Sequence, residues 1–183
     1  MPSLDFERLS AGKPKRFVFF ELEKALDQSI DSSAKNVKKA AVLFSGGVDS
    51  SLCAKLVSEK VPKCVAFSVG LKGSPDLVQA KKSAKLLNLE LKIIEVDGSK
   101  IPLIAKKVSS IINSNDFLQL SIAIPEFFAL QEIKNSGYKI VFSGQGPDEL
   151  FLGYAVFPKL LKDKGVIAVK KEQEHLFDVF ERN

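Results

Sequence analysis

The chain has 183 residues, 45% of them hydrophobic and 27% charged, which is the composition of a globular chain with its own core and excludes a disordered or collagen-like one. No apolar run reaches the roughly 18 residues that a membrane-spanning helix needs, and the opening MPSLDFERLSAGK lacks the apolar centre of a secretory signal, so a cytoplasmic protein with no membrane partner is expected. Cys53, Cys64 and His175 are the only residues of their types; they are too few for a zinc site and leave one histidine for any Ser-His-Asp or Cys-His mechanism. The net charge of +5 comes from dispersed lysines, with Arg8, Arg16 and Arg182 the only arginines, so a solvated surface is expected rather than a nucleic-acid footprint.

In chain order, residues 1–16 read as a loose arm and residues 17–183 as one domain. Apolar residues recur at near-helical spacing from Phe17 to Ser32, which predicts an amphipathic helix. Ala40 to Phe44 is a five-residue apolar run stopped by Ser45-Gly46-Gly47 and predicts a buried strand. Helical sequence follows from Asp49 to Lys60, then a strand from Cys64 to Val69. Pro75 and Asp76 open a helix reaching Leu87, and an alternating strand runs from Leu89 to Val96. Two more helices are predicted, Ser99 to Ile112 and Pro125 to Asn135, the second closed by Gly137. Ile140 to Phe142 is a fourth strand, ended by Ser143-Gly144-Gln145-Gly146-Pro147. Lysine-rich helical sequence continues from Asp148 to the end, with breaks expected near Pro158 and Gly165. Strands alternating with helices predict an α/β fold: a doubly wound parallel sheet, Rossmann-like, with an N-terminal helix and a C-terminal helical segment.

Ligands of such sheets bind beyond the carboxyl ends of the strands, where strand order reverses. Two glycine-rich turns fall at strand ends here, SGGVDSS (Ser45 to Ser51) and SGQGPDE (Ser143 to Glu149). A 3-2-1-4 order would bring both to one crevice. Gly46 and Gly47 let an anion approach backbone N–H groups, the following helix directs its positive end the same way, and Ser45, Ser50 and Ser51 add hydroxyls. A carboxylate beside phosphates is repulsive, so Asp49 argues for a bridging Mg²⁺, with Asp148 reaching the same ion from the second turn. The plainer reading makes both aspartates helix caps. Neither G-x-x-x-x-G-K-[ST] nor G-x-G-x-x-G occurs, so P-loop and dinucleotide chemistry have no motif.

SGGVDSS after an apolar strand resembles the PP-loop of ATP pyrophosphatases. AFSVGLKGSPD (Ala66 to Asp76) and FSGQGPDELFLGY (Phe142 to Tyr154) resemble the synthetase domain of the asparagine synthetase family, whose second motif usually reads SGEGSDELFGGY. The resemblance implies ATP and Mg²⁺ as cofactors, with Ser45, Gly46, Gly47, Asp49 and Ser50 on pyrophosphate and Asp49 and Asp148 on the metal. Phe44, Val69, Ser143 and Gly144 would bracket the nucleotide, joined by the hydroxyl of Ser51. A lysine near the phosphates is also implied; Lys159, Lys162, Lys170 and Lys171 are the candidates, with Lys170 the expected one. The implied reaction is adenylation of an aspartate-like carboxylate followed by amidation. Three features depart from the pattern. The chain begins Met1-Pro2 without a cysteine-headed glutaminase domain, which implies free ammonia or a glutaminase partner. Gln145 replaces the glutamate of SGEGSDE; an amide takes no proton at neutral pH, but Gln145 is expected among the catalytic residues, orienting the nucleophile or the acyl-adenylate. The chain stops at Asn183, where a complementing chain or a homodimer would supply further helices. Two other classes fit less well: a non-catalytic ATP- or AMP-binding subunit, motivated by Gln145, and a tRNA-modifying PP-loop enzyme, motivated by the basic charge.

Overall fold

The computed structural model describes the backbone of residues 15–182 and the side chains of residues 19–176. All but the end of the expected 1–16 arm therefore lies outside the described residues. The first helix, α1, spans Lys15–Ala34 and starts two residues before the predicted Phe17.

Four strands, β1 (Lys39–Leu43), β2 (Lys63–Leu71), β3 (Leu91–Val96) and β4 (Val141–Phe142), form one sheet in the order β3-β2-β1-β4. Every pairing is parallel, with Ala41 opposite both Val65 and Val141, and Ser68 opposite Ile93. Parallel neighbours need crossovers, and helices supply them. The helix α2 (Val48–Lys60) joins β1 to β2, and α3 (Pro75–Leu86) joins β2 to β3. Between β3 and β4 run a 3₁₀ turn (Gly98–Lys100), α4 (Ile101–Ile112) and α5 (Phe117–Asn135).

Strand periodicity divides the core into two layers. On one face Ala40, Val42, Phe44 and Ala66 pack against Ala34 of α1, Ala54 and Val57 of α2, and Ala80 and Ala84 of α3. On the other, Ala41, Val65 and Phe67 pack against Ala129 and Ile133 of α5. A sheet covered on both faces has no solvated side, which is why β1 reads as an unbroken apolar run. Each fully buried side chain, such as Phe67, Leu77 or Ile133, contributes roughly 1.5–3 kcal/mol.

Several boundaries differ from the sequence reading, most by one or two residues. Pro125 lies inside α5 rather than at its start. The true start is set by Asp116, whose Oδ1 accepts the Gln119 N–H at 2.9 Å. Pro125 deprives the Ser121 carbonyl of its usual donor, yet the helix continues because Ala129 and Ile133 anchor it in the core. The third strand begins at Leu91, not Leu89. Beyond α6 (Pro147–Phe151), α7 (Val156–Arg182) passes through Pro158 unbroken, because a proline in the first turn removes an N–H that has no helical partner. It is interrupted only at Gly165, where φ is 78° and ψ 179°. Among the described residues, no helix is long and apolar enough to cross a membrane.

Candidate active site

From β1 the chain moves to β2 on one side, and only later fills the other side with β4, so strand order reverses between β1 and β4. At their carboxyl ends lies a crevice of about 410 Å³. Phe44, Ser45, Gly47, Asp49 and Ser50 line it from the first turn, and Ser143, Gly144, Gln145 and Asp148 from the second. Val69 lines it from the end of β2.

The first turn is held by its own serines. The Ser45 and Ser50 hydroxyls lie 3.0 Å apart, Ser45 Oγ accepts the Gly47 N–H at 3.3 Å, and Ser50 Oγ donates to the Gly47 carbonyl at 3.2 Å. Gly46 adopts φ 79° because its carbonyl is turned to α3, where Gln79 Nε2 and Ser83 Oγ donate to it at 3.3 and 2.8 Å. A Cβ there would stand 2.8 Å from the Ala80 Cα, so only glycine fits. Gly47 is the N-cap of α2 and gives no side-chain cap, which leaves the first N–H groups of a 13-residue helix without a side-chain acceptor.

The two turns touch. A Cβ on Gly144 would lie 2.6 Å from the Ser50 nitrogen and 2.7 Å from the Asp49 carbonyl carbon, and Cys53 Sγ sits 3.6 Å from the Ser143 carbonyl oxygen. The cap reading of the aspartates does not hold. Gly47 and Gly146 occupy the N-caps, and Asp49 and Asp148 both fall within the first turns of their helices. Asp148 is itself braced: the Gly153 N–H donates to its carbonyl at 3.0 Å, and a Cβ on Gly153 would fall on its Oδ1. The loop that carries Gly153 is closed by the Tyr154 hydroxyl, which donates to Oε1 of the buried Glu149.

Burial first, then the charge of Asp49, then that of Glu149, raise the Asp148 carboxyl above its ordinary range. Four carboxylates line the crevice, Asp49, Asp76, Glu126 and Asp148, and among the described residues no lysine, arginine or histidine does. Asp49 and Asp148 are hard oxygen donors whose mutual repulsion a divalent cation relieves. As a donor set they would suit a hydrated Mg²⁺; among the described residues no group of three or more potential ligands occurs.

Not every expected site residue meets there. Gly46 packs against α3, and Ser51 lies one residue further along α2, its N–H bonded to the Gly47 carbonyl at 3.0 Å. Lys170, on α7 beyond Gly165, is not among the lining residues, nor are Lys159, Lys162 and Lys171. Ser68, Asp76 and Glu126 line the crevice unforeseen. Asp76 stood within the quoted GSPD string as a helix-start signal only. Glu126 had a signal of its own, as the sole charge between Asp116 and Glu132.

The architecture is that of a Rossmann-like parallel sheet with a glycine-rich loop at its switch point. A solved structure of an NH3-dependent NAD synthetase from Campylobacter jejuni shares this fold, with a TM-score of 0.51 and 24% identity over 75% of this chain and 61% of that one. The asparagine synthase family model matches residues 21–179, and the chain belongs to that family. A Methanocaldococcus jannaschii protein named for glutamine-hydrolysing asparagine synthesis is 36% identical over 151 residues, 82% of this chain and 28% of that protein. The Sandersonia aurantiaca glutamine-hydrolysing asparagine synthetase is 32% identical over 189 residues, 96% of this chain and 32% of that one. The chain thus spans about a third or less of these relatives' length.

Proposed function

We propose that this chain carries the ATP-dependent, AMP-forming half of an amide-bond synthetase of asparagine synthetase type. One observation carries the reading: two aspartates 99 positions apart in the sequence, each from a glycine-rich turn, line one crevice at the start of α2. The triphosphate lies over the SGGVDSS turn, where Gly47 gives room and the uncapped N–H groups of α2 meet its charge. Asp49 and Asp148 hold Mg²⁺, which when bound neutralises charge on the leaving pyrophosphate. Phe44, Val69 and Gly144 flank the adenosine. A substrate carboxylate, aspartate in the first instance, attacks the α-phosphorus; the bond to the β,γ-pyrophosphate breaks, and an acyl-adenylate remains. Ammonia then opens it to the amide and AMP.

The experiment is aspartate-dependent exchange of labelled pyrophosphate into ATP. Exchange is expected only with ATP, Mg²⁺ and aspartate together, and a fall of at least about 10²-fold in Asp49→Asn or Asp148→Asn. Nucleotide binding by calorimetry with no exchange for any carboxylate selects the non-catalytic subunit instead.

A further inference from the structure

The proposed amidation needs a base. When ammonia adds to the acyl carbon, its nitrogen becomes positively charged and must lose a proton before the tetrahedral intermediate can collapse to the neutral amide. Among the described residues the lining of the crevice contains no histidine, lysine or arginine, so a side-chain acceptor there is a carboxylate. Gln145 lines the same space, but its amide has no useful proton affinity. Asp49 and Asp148 are committed to the cation. Asp76 sits in the first turn of α3, beside the Ser74 cap, where its negative charge is spent against the helix N-terminus.

Glu126 remains, and its setting differs from that of the other three. It projects from the middle of α5 between Pro125 and Ala129, which also line the crevice, so its neighbours along this wall are apolar. It is the sole charge in the stretch from Phe117 to Gln131. The nearby cation on α4, Lys107, is turned to the Phe127 ring, 5.0 Å from its centroid. The residue as a whole is exposed, but partial desolvation of its carboxyl against this wall raises it above the ordinary value, and no neighbouring charge is among the causes.

We infer that Glu126 is the proton acceptor for the incoming nitrogen, a role that rests on the proposed synthetase reading. The nitrogen lone pair forms the N–C bond, Glu126 takes one N–H proton, and the C–O bond to AMP breaks with its electron pair leaving on the phosphate oxygen. The carboxylic acid then returns its proton to water.

The test compares the two half-reactions in the full chain. With aspartate, ATP, Mg²⁺ and ammonium, Glu126→Gln should lower the ratio of amide formation to its own pyrophosphate exchange by on the order of 10²-fold. With hydroxylamine, a stronger nucleophile that depends less on base assistance, the same ratio should fall less than about tenfold. Glu126→Asp should recover part of the ammonia rate. A ratio equal to that of the parent with ammonia overturns the assignment, as does an equal fall with both nucleophiles, which marks a structural lesion. Absence of exchange in the parent chain overturns the synthetase reading itself, a separate result from either.

Discussion

At the scale of single residues, the Glu149–Tyr154 pair is the sharpest feature of the C-terminal part. Glu149 is only 7% exposed, one carboxylate oxygen accepts from the Tyr154 hydroxyl, and the other, Oε2, has no hydrogen-bond partner. Removing the hydroxyl leaves a buried carboxylate with its main donor gone, so Tyr154→Phe should lower stability near neutral pH by about 1–3 kcal/mol in urea unfolding. Burial and then the bond to Glu149 push the Tyr154 phenol up to about 12. A raised value means that the folded state keeps a proton the unfolded chain has already released. The stabilisation is therefore complete below the ordinary tyrosine value of about 10 and is lost as pH climbs from there towards 12. The stability gap between parent and Tyr154→Phe should narrow across that window; a gap constant from pH 8 to 11.5 would show that the hydroxyl is not held as described. The five-residue separation of Glu149 and Tyr154 was visible in DELFLGY, but the bond was not. It depends on Leu152 turning into the left-handed region at φ 60°, which nothing about leucine announces.

At the scale of elements, the chain states its own layout wherever local and tertiary preferences agree. Ala40, Ala41, Val42 and Phe44 are buried, and Leu43 partly so, because strands lie on both sides of β1 and helices on both faces. Order β3-β2-β1-β4 follows from the same logic, since glycine-rich turns after β1 and β4 make sense only as neighbours. The start of α5 was misplaced because proline is a strong local signal, while the competing cap, Asp116, is a weak one until the carboxylate is seen on Gln119. Where Lys170 would point was not legible either, because helical periodicity fixes no direction across the bend at Gly165; it is not among the residues that line the crevice. Contact between the turns is the elemental fact most open to test. Gly144→Ala drives a methyl into the backbone of Asp49 and Ser50, which cannot move without shifting α2, so a loss of roughly 1–3 kcal/mol is expected. Gly98→Ala is the control, its nearest neighbour being Leu71 Cδ2 at 3.8 Å, and should change stability by no more than about 0.5 kcal/mol. Equal effects in thermal unfolding would mean that the two turns do not abut.

At the scale of the whole molecule, charge is distributed against expectation. The chain carries +5, yet the crevice presents four carboxylates and, among the described residues, no basic side chain. A triphosphate approaching Asp49 and Asp148 meets like charges at short range, which the dispersed surface lysines, screened beyond about 8 Å at physiological ionic strength, do not offset. Only the N–H groups of α2 and a divalent cation reverse the sign locally. Affinity for ATP should therefore be conditional on the metal. At nucleotide concentrations 100-fold above the dissociation constant, binding to the folded state adds about 2.7 kcal/mol. For a chain of this length that corresponds to a rise of about 5–10 °C in the melting midpoint. The full rise is expected with ATP and Mg²⁺, and almost none with ATP and a chelator. Asp148→Asn should lower the Mg²⁺-dependent rise while narrowing the difference between the two conditions, because removing one carboxylate weakens the cation site and also relieves the repulsion felt by metal-free ATP. Equal stabilisation with and without Mg²⁺ in the parent chain would place the phosphates away from the aspartate pair, and the crevice would then need a different ligand.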